Sequence, residues 1–207
     1  MTLENYRQSV SAAKHADILR SALAHFLKSG YHRAAMADVA RDADVSTATL
    51  YKHFGSKEEL FAAIVEEAQR VVEDEFAKRP PGATLAEMLH TAARAYLSLQ
   101  FDHGLNALMR VVIAESGTYP HLGKRMLKDF VDRRRGNAAA AFDRMIEGGW
   151  LRPHDTWLSS GFMGGMMKEV FVWPALFDPD YKVPDDADQK IDEIVAVFLA
   201  RYGAKHP

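Results

Sequence analysis

Residues 36–61 read MADVARDADVSTATLYKHFGSKEELF. Met36, Val39, Ala40 and Ala43 recur at helical spacing, which predicts a short helix over 35–43. Asp44-Val45 then turns the chain. Ser46 is placed to cap a second helix over 47–54, its hydroxyl accepting from a free backbone N–H. Gly55 ends that helix, and Ser56-Lys57-Glu58-Glu59 has the form of a capping box, Ser56 and Glu59 reciprocally satisfying the first N–H groups of a third helix. With no Pro or Gly before Pro80, the third helix has room for about 20 residues, roughly 30 Å. Two short helices across a tight turn, braced by a third, is the outline of a helix-turn-helix. Periodicity alone also allows three ordinary packed helices.

Outward from this stretch, 1–10 is polar and reads as a loose arm. A helix over 11–29 carries Ala16, Leu19, Leu23, Phe26 and Leu27 at spacings of three and four, and Gly30 is suited to a left-handed C-terminal cap. On the other side, Pro80-Pro81-Gly82 is the clearest break. Thr84-Leu85-Ala86-Glu87 is a second capping box, opening a helix with Leu85, Met88, Leu89, Ala92, Tyr96 and Leu99 on one side. Further helices are expected over about 105–115, 121–147, from an Asp155 cap to 177, and over 186–202. No stretch alternates at period two, so the chain is all-α with about nine helices. Two domains are expected: 1–55 as the helix-turn-helix part and 56–207 as a larger helical part.

Composition limits the function. The 207 residues are 48% hydrophobic and 26% charged, as in an ordinary globular protein, and contain no cysteine, which excludes disulfides and thiol chemistry. The start, MTLENYRQSV, lacks the charged and apolar regions of a signal peptide, and the apolar run 161–177 is interrupted by Lys168 and Glu169. A cytoplasmic protein is expected. Net charge is −2, with eight Lys/Arg against seven Asp/Glu over 1–60. Any DNA contact must therefore draw on positive charge gathered on one face. Nine histidines are scattered without paired spacing, and there is no phosphate-binding Gly-rich loop or hydrolase nucleophile motif, so neither a metal nor a cofactor is expected.

As a DNA reader the motif has suitable chemistry. Thr47, Ala48, Thr49 and Lys52 supply short hydroxyls, methyls and a cation for base edges beside the capping Ser46. Tyr51, His53 and Lys57 can reach phosphates. The order Val39-Ala40, Asp44-Val45-Ser46, Thr49-Leu50-Tyr51, His53-Phe54 and Ser56-Lys57-Glu58-Glu59-Leu60 closely resembles the TetR family of transcriptional regulators, over about 16–64. Arg110 to Glu115 with Pro120 resembles one C-terminal subclass. This resemblance implies a homodimer on an approximately palindromic DNA operator, released when a small-molecule effector enters the C-terminal part. It assigns base contacts to Thr47, Ala48, Thr49 and Lys52, and phosphate contacts to Tyr51, His53 and Lys57. Three positions depart from the common pattern. Ala35 stands where many members have a capping Thr, and Asp44 and Ala48 stand where many have Gly.

The C-terminal part is rich in methionine and aromatic residues, which suits an adaptable apolar pocket as well as a plain core. Met109, Phe130, Phe162 and Met166 are the candidate apolar lining for an apolar effector, with Tyr96 and Asn137 as polar groups. Gly161 and Gly165, with Trp157, Val195 and Phe198, are the candidate dimer interface between two helices of each copy. Arg133-Arg134-Arg135 reads as a solvated face. A helical small-molecule enzyme or carrier with a purely structural N-terminal motif is the competing reading.

Overall fold

The structure is a computed structural model and describes residues 3–76 and 82–204. Among the described residues there are nine helices. They are α1 (Leu3–Arg33), α2 (Met36–Asp42), α3 (Thr47–His53), α4 (Lys57–Phe76), α5 (Leu85–Phe101) and α6 (Leu105–Glu115). Then α7 runs from Pro120–Arg125 through a π-helical turn, Met126–Asp132, into Arg133–Glu147. In the same way α8 runs from Thr156–Met167 through a π-helical turn, Lys168–Val172, into Trp173–Phe177, and α9 is Ala187–Tyr202. The only extended pairing among the described residues is an antiparallel bridge between Leu151 and Gly203. No described helix is long and apolar enough to cross a membrane.

The expected loose arm is helical instead, from Leu3 onward. With no Gly or Pro before Gly30 and good helix formers such as Glu4, Arg7 and Gln8, nothing stops the helix from extending. The helix breaks at Gly30, whose φ of 77° and ψ of 169° lie where only glycine is comfortable. Pro80 and Pro81 of the expected break lie outside the described residues.

Contacts divide the chain into two compact units: 1–68 with 107–126, and 69–106 with 127–207. In the first unit, Ile18, Leu19, Ala22 and Phe26 of α1 are buried with Val39, Ala40, Leu50, Phe54, Leu60, Phe61 and Ile64. Leu27, expected on the inner face, stands exposed. Tyr31 closes this core from below Gly30, its ring 5.6 Å from those of Phe26 and Phe61 and 5.7 Å from Tyr119. Ser21 donates to the Val39 carbonyl at 3.0 Å, tying α1 to α2.

The second unit is built on Leu89, Ala93 and Leu97 of α5, Phe142 of α7, Met167 and Phe171 of α8, and Ile191, Ile194, Val195 and Phe198 of α9. The Thr84 capping box is present as expected, Glu87 accepting from the Thr84 N–H at 2.7 Å. Burial on α5 is broader than one stripe, since Ala93, Ala95, Leu97 and Gln100 are enclosed as well as Leu89 and Leu99.

Candidate functional site

The turn between α2 and α3 is made by backbone geometry. The Val45 N–H donates to the Ala40 carbonyl at 3.0 Å, and Asp44 takes a φ of +52°. For an L-residue this left-handed conformation costs energy, less for Asp than for most. Ser46 then caps α3 as expected, its Oγ accepting from the Thr49 N–H at 3.0 Å. Ala35 precedes α2 in an extended conformation (φ −93°, ψ 132°) with no side-chain cap.

This frame leaves Ser46, Thr47, Ala48, Tyr51 and Lys52 exposed while Leu50 is wholly buried beneath them. Thr49 is only partly exposed, and its hydroxyl lies 2.8 Å from Ser46 Oγ. It is therefore part of the cap, with its methyl and only part of its hydroxyl's bonding capacity left for any other use. The His53 ring lies 5.9 Å from that of His15. Partial burial first, and then the positive neighbours His15, Lys52 and Lys14, hold its pKa below the ordinary value. Four basic side chains thus lie near one another, Lys14 and His15 from α1 and Lys52 and His53 from α3. Their separation of nearly 40 positions along the chain is why motif reading missed Lys14.

Lys57 is more deeply engaged than its position in a capping box suggests. Its ammonium donates to the His32 carbonyl at 2.9 Å and sits 4.8 Å over the Tyr31 ring. Glu115 takes the His32 N–H at 3.1 Å, so Lys57 and Glu115 hold the same peptide segment from either side. Burial lowers the pKa of Lys57. The box itself is shifted by one residue: Ser56 Oγ accepts from the Glu59 N–H at 3.1 Å, but Glu59 reaches back to the Gly55 N–H at 2.9 Å.

The remaining candidates separate by burial. Phe130 is enclosed and Met166 partly so, whereas Asn137 and Phe162 are exposed on the protomer, and Met109 belongs to the first unit. Tyr96 faces inward, as a pocket group would, and its phenol pKa is raised by burial. Val195 and Phe198, expected at a dimer interface, are 3% and 1% exposed within the protomer core, so their side chains have no surface left for a second copy. Trp157 and Phe162, at 44% and 52% exposed, do have it. A Cβ at Gly161 would lie 2.7 Å from the Arg135 guanidinium, the far end of a flexible side chain that stacks 4.4 Å over the Trp157 ring and could shift to make room. Gly165 faces open space. The arginine run is not a uniform solvated face, because successive residues on a helix point about 100° apart. Arg133 is exposed, while Arg134 and Arg135 are drawn inward onto Tyr96 and Trp157. Among the described residues no three His, Asp or Glu side chains converge as a metal site.

A recognition helix capped by Ser46, exposed on its outer face and braced by α1 and α2, belongs to the helix-turn-helix class of DNA-binding regulators. Residues 18–64 match the tetR family of bacterial regulatory proteins, and 87–204 match the C-terminal domain of the AefR-like transcriptional repressors. The chain belongs to the TetR family, as an AefR-like transcriptional repressor. Membership replaces the enzyme or carrier reading, and it carries DNA binding and effector-responsive regulation with it. Among curated relatives, the HTH-type transcriptional repressor KstR of Rhodococcus jostii is 30% identical over 153 residues, 69% of this chain and 71% of that protein. A solved TetR-family regulator from Mesorhizobium loti is 27% identical, with a TM-score of 0.80 over 94% of this chain and 98% of its own. Another from Agrobacterium tumefaciens shares the fold at 23% identity and a TM-score of 0.75, over 93% and 95% of the two chains.

Proposed function

We propose that the protein acts in the cytoplasm as a homodimer on an approximately palindromic operator and leaves it when a small, largely apolar effector binds. The observation that carries this reading is the pairing of an outward α3 surface with several uncovered large hydrophobics along α8. On α3, Thr47, Ala48 and Lys52 read bases, Thr49 contributes its methyl, and Ser46 fixes the helix that presents them. Tyr51, His53, Lys57 and Lys14 hold phosphates. On α8, Trp157, Leu158, Phe162, Trp173 and Phe177 are all exposed large hydrophobics. So many exposed large hydrophobics on one helix suit a partner surface. A second copy covers it, with Gly165 allowing close approach and Val195 and Phe198 supporting it from within. With the division at 55 and 56, DNA contact falls to the first part together with Lys57 at the start of the second, and switching falls to the rest of the second.

Two recognition helices in a dimer must meet successive major-groove faces about 34–36 Å apart. An effector in the second unit, beside Tyr96, Phe130 and Met166, favours a protomer arrangement that misses this spacing. Differential affinity of about 1–3 kcal/mol for the two states is the expected scale of coupling. Gel retardation of DNA flanking the protein's own gene tests the reading. A shifted band at low salt supports it, and no retardation refutes it. Phe162→Asp should yield monomers in sedimentation and lose the band; a variant that still sediments as a dimer removes α8 from the interface.

A further inference from the structure

The second unit holds a partly buried group of polar side chains with positive charge and no ion-paired acid to balance it. Gln100 on α5 is only 2% exposed. One turn earlier stands Tyr96, whose phenol pKa burial raises while the neighbouring Arg134 and Gln100 pull it down. The Arg134 guanidinium lies 4.3 Å over the Tyr96 ring and 5.6 Å from the Phe130 ring centroid. Yet Arg134 Nη1 and Gln100 Oε1 are enclosed and bonded to nothing. Turning the Gln100 amide round does not help, since one of its two ends is left over either way.

The charge is equally unmatched. Among the described residues no carboxylate forms an ion pair with Arg134. Lys168 on α8 feels both Arg134 and Arg135, and its pKa falls through burial first and these two cations next. An enclosed guanidinium edge without a partner is costly, and interiors tolerate it where something else completes it. The surrounding backbone is unusual as well. The π-helical turn Met126–Asp132 ends just before Arg133, and Lys168 itself opens the π-helical turn Lys168–Val172. Wide turns of this kind are frequent at functional sites.

We propose that Tyr96, Gln100, Arg134 and Lys168 receive the anionic head of the effector, which is therefore an amphipathic carboxylate and not a neutral apolar molecule. A planar carboxylate matches the free edge of Arg134, and Lys168 supplies the second positive charge. The free end of Gln100 and the phenol fix its orientation. The apolar body lies against Phe130 and the methionines that pack on the core of this unit, Met163 and Met166. This inference rests on the effector-responsive reading above and adds the chemistry of the ligand.

The test uses the full chain with decanoate and 1-decanol as probes of one apolar body with and without the anion. Titration calorimetry on the wild type should give decanoate at least about tenfold tighter binding than decanol, the scale of one charge-assisted hydrogen bond. Arg134→Met should abolish that preference, and Arg134→Lys should keep part of it. Without ligand, Arg134→Met should melt at the wild-type temperature or above, because the variant no longer encloses an unpaired charge. A lower melting temperature, or failure to fold, means the guanidinium is structural and overturns the proposal. Equal affinity for the two probes, preference for decanol, or no binding of decanoate also overturns it. Gel retardation by the apoprotein separates these failures from failure of the regulator reading, since that band depends on no effector.

Discussion

Lys57 offers the sharpest separation between holding the fold and holding DNA, because it is placed to do both. Its ammonium donates to the His32 carbonyl at 2.9 Å and lies 4.8 Å over the Tyr31 ring. A hydrogen bond from a charged donor is worth about 1.5–3 kcal/mol and an exposed cation–π contact about 0.5–1 kcal/mol. Freeing an ordered lysine returns up to about 2 kcal/mol of rotamer entropy. Lys57→Met, which keeps most of the stem, should therefore cost about 1 kcal/mol, read as a lower urea midpoint at unchanged slope. Its effect on DNA binding has a different signature. A dimer losing two phosphate contacts should show a salt slope shallower by about 1.8 in log–log terms. The affinity deficit of the variant should then shrink about twelvefold between roughly 50 and 200 mM salt, since each contact contributes about 0.9 to the slope. Fluorescence anisotropy on one operator fragment across that range measures it. A deficit that stays constant with salt, together with the lower urea midpoint, refutes the phosphate role and leaves Lys57 as a clamp on the His32 peptide.

Three further outcomes are expected. Ala35→Thr supplies the missing cap of α2 without disturbing its extended backbone, and should stabilise the protein by about 1 kcal/mol in urea titration; no gain means the Asp38 N–H is already satisfied by the Ala35 carbonyl, 3.1 Å away. Asp44→Gly relieves the left-handed conformation but loosens the unfolded chain, so the net gain should be about 0.5 kcal/mol; a loss shows that the aspartate adapts to the turn at little cost. The Asp188 carboxyl is held down to about 2, first by the hydrogen bond from Arg94 and next by that from His90. Its folded pKa is lowered, so its contribution is complete above the unfolded value near 4 and disappears as pH falls from there to about 2. Asp188→Asn should flatten the stability profile in that window alone, and a variant profile parallel to the wild type refutes the linkage.

The helix-turn-helix was legible because its determinants are local. The Ser46 cap, the Asp44 turn and the buried Leu50 each depend on a few neighbouring residues, and the structure has all three. The capping box at Thr84 is legible for the same reason. Where tertiary context decides, residue type was a poor guide. Phe198 and Phe162 are chemically alike, yet one is enclosed by the core and the other faces out. Arg134 lay in a run of three arginines, and only helical phase beside a π-helical turn draws it inward. Lys14 joins Lys52 and His53 through the crossing of α1 and α3, which no local pattern records.

The first unit is assembled from two separate stretches of chain, 1–68 and 107–126. His32 is 83 positions from Glu115 in the chain yet hydrogen bonded to it, and 87 from Tyr119, which it also meets. The order of synthesis thus acquires a bearing on folding. When residue 68 leaves the ribosome, the head still lacks the segment that clamps the base of α1. At about 5–20 residues per second, that segment follows some 3–12 s later. During this interval Tyr31 lacks the cover of Tyr119, and the closing loop has an entropic cost that grows only slowly with its length. The DNA-reading head is thus completed by its own C-terminal half, and a clone ending after α4 would express an unfinished one.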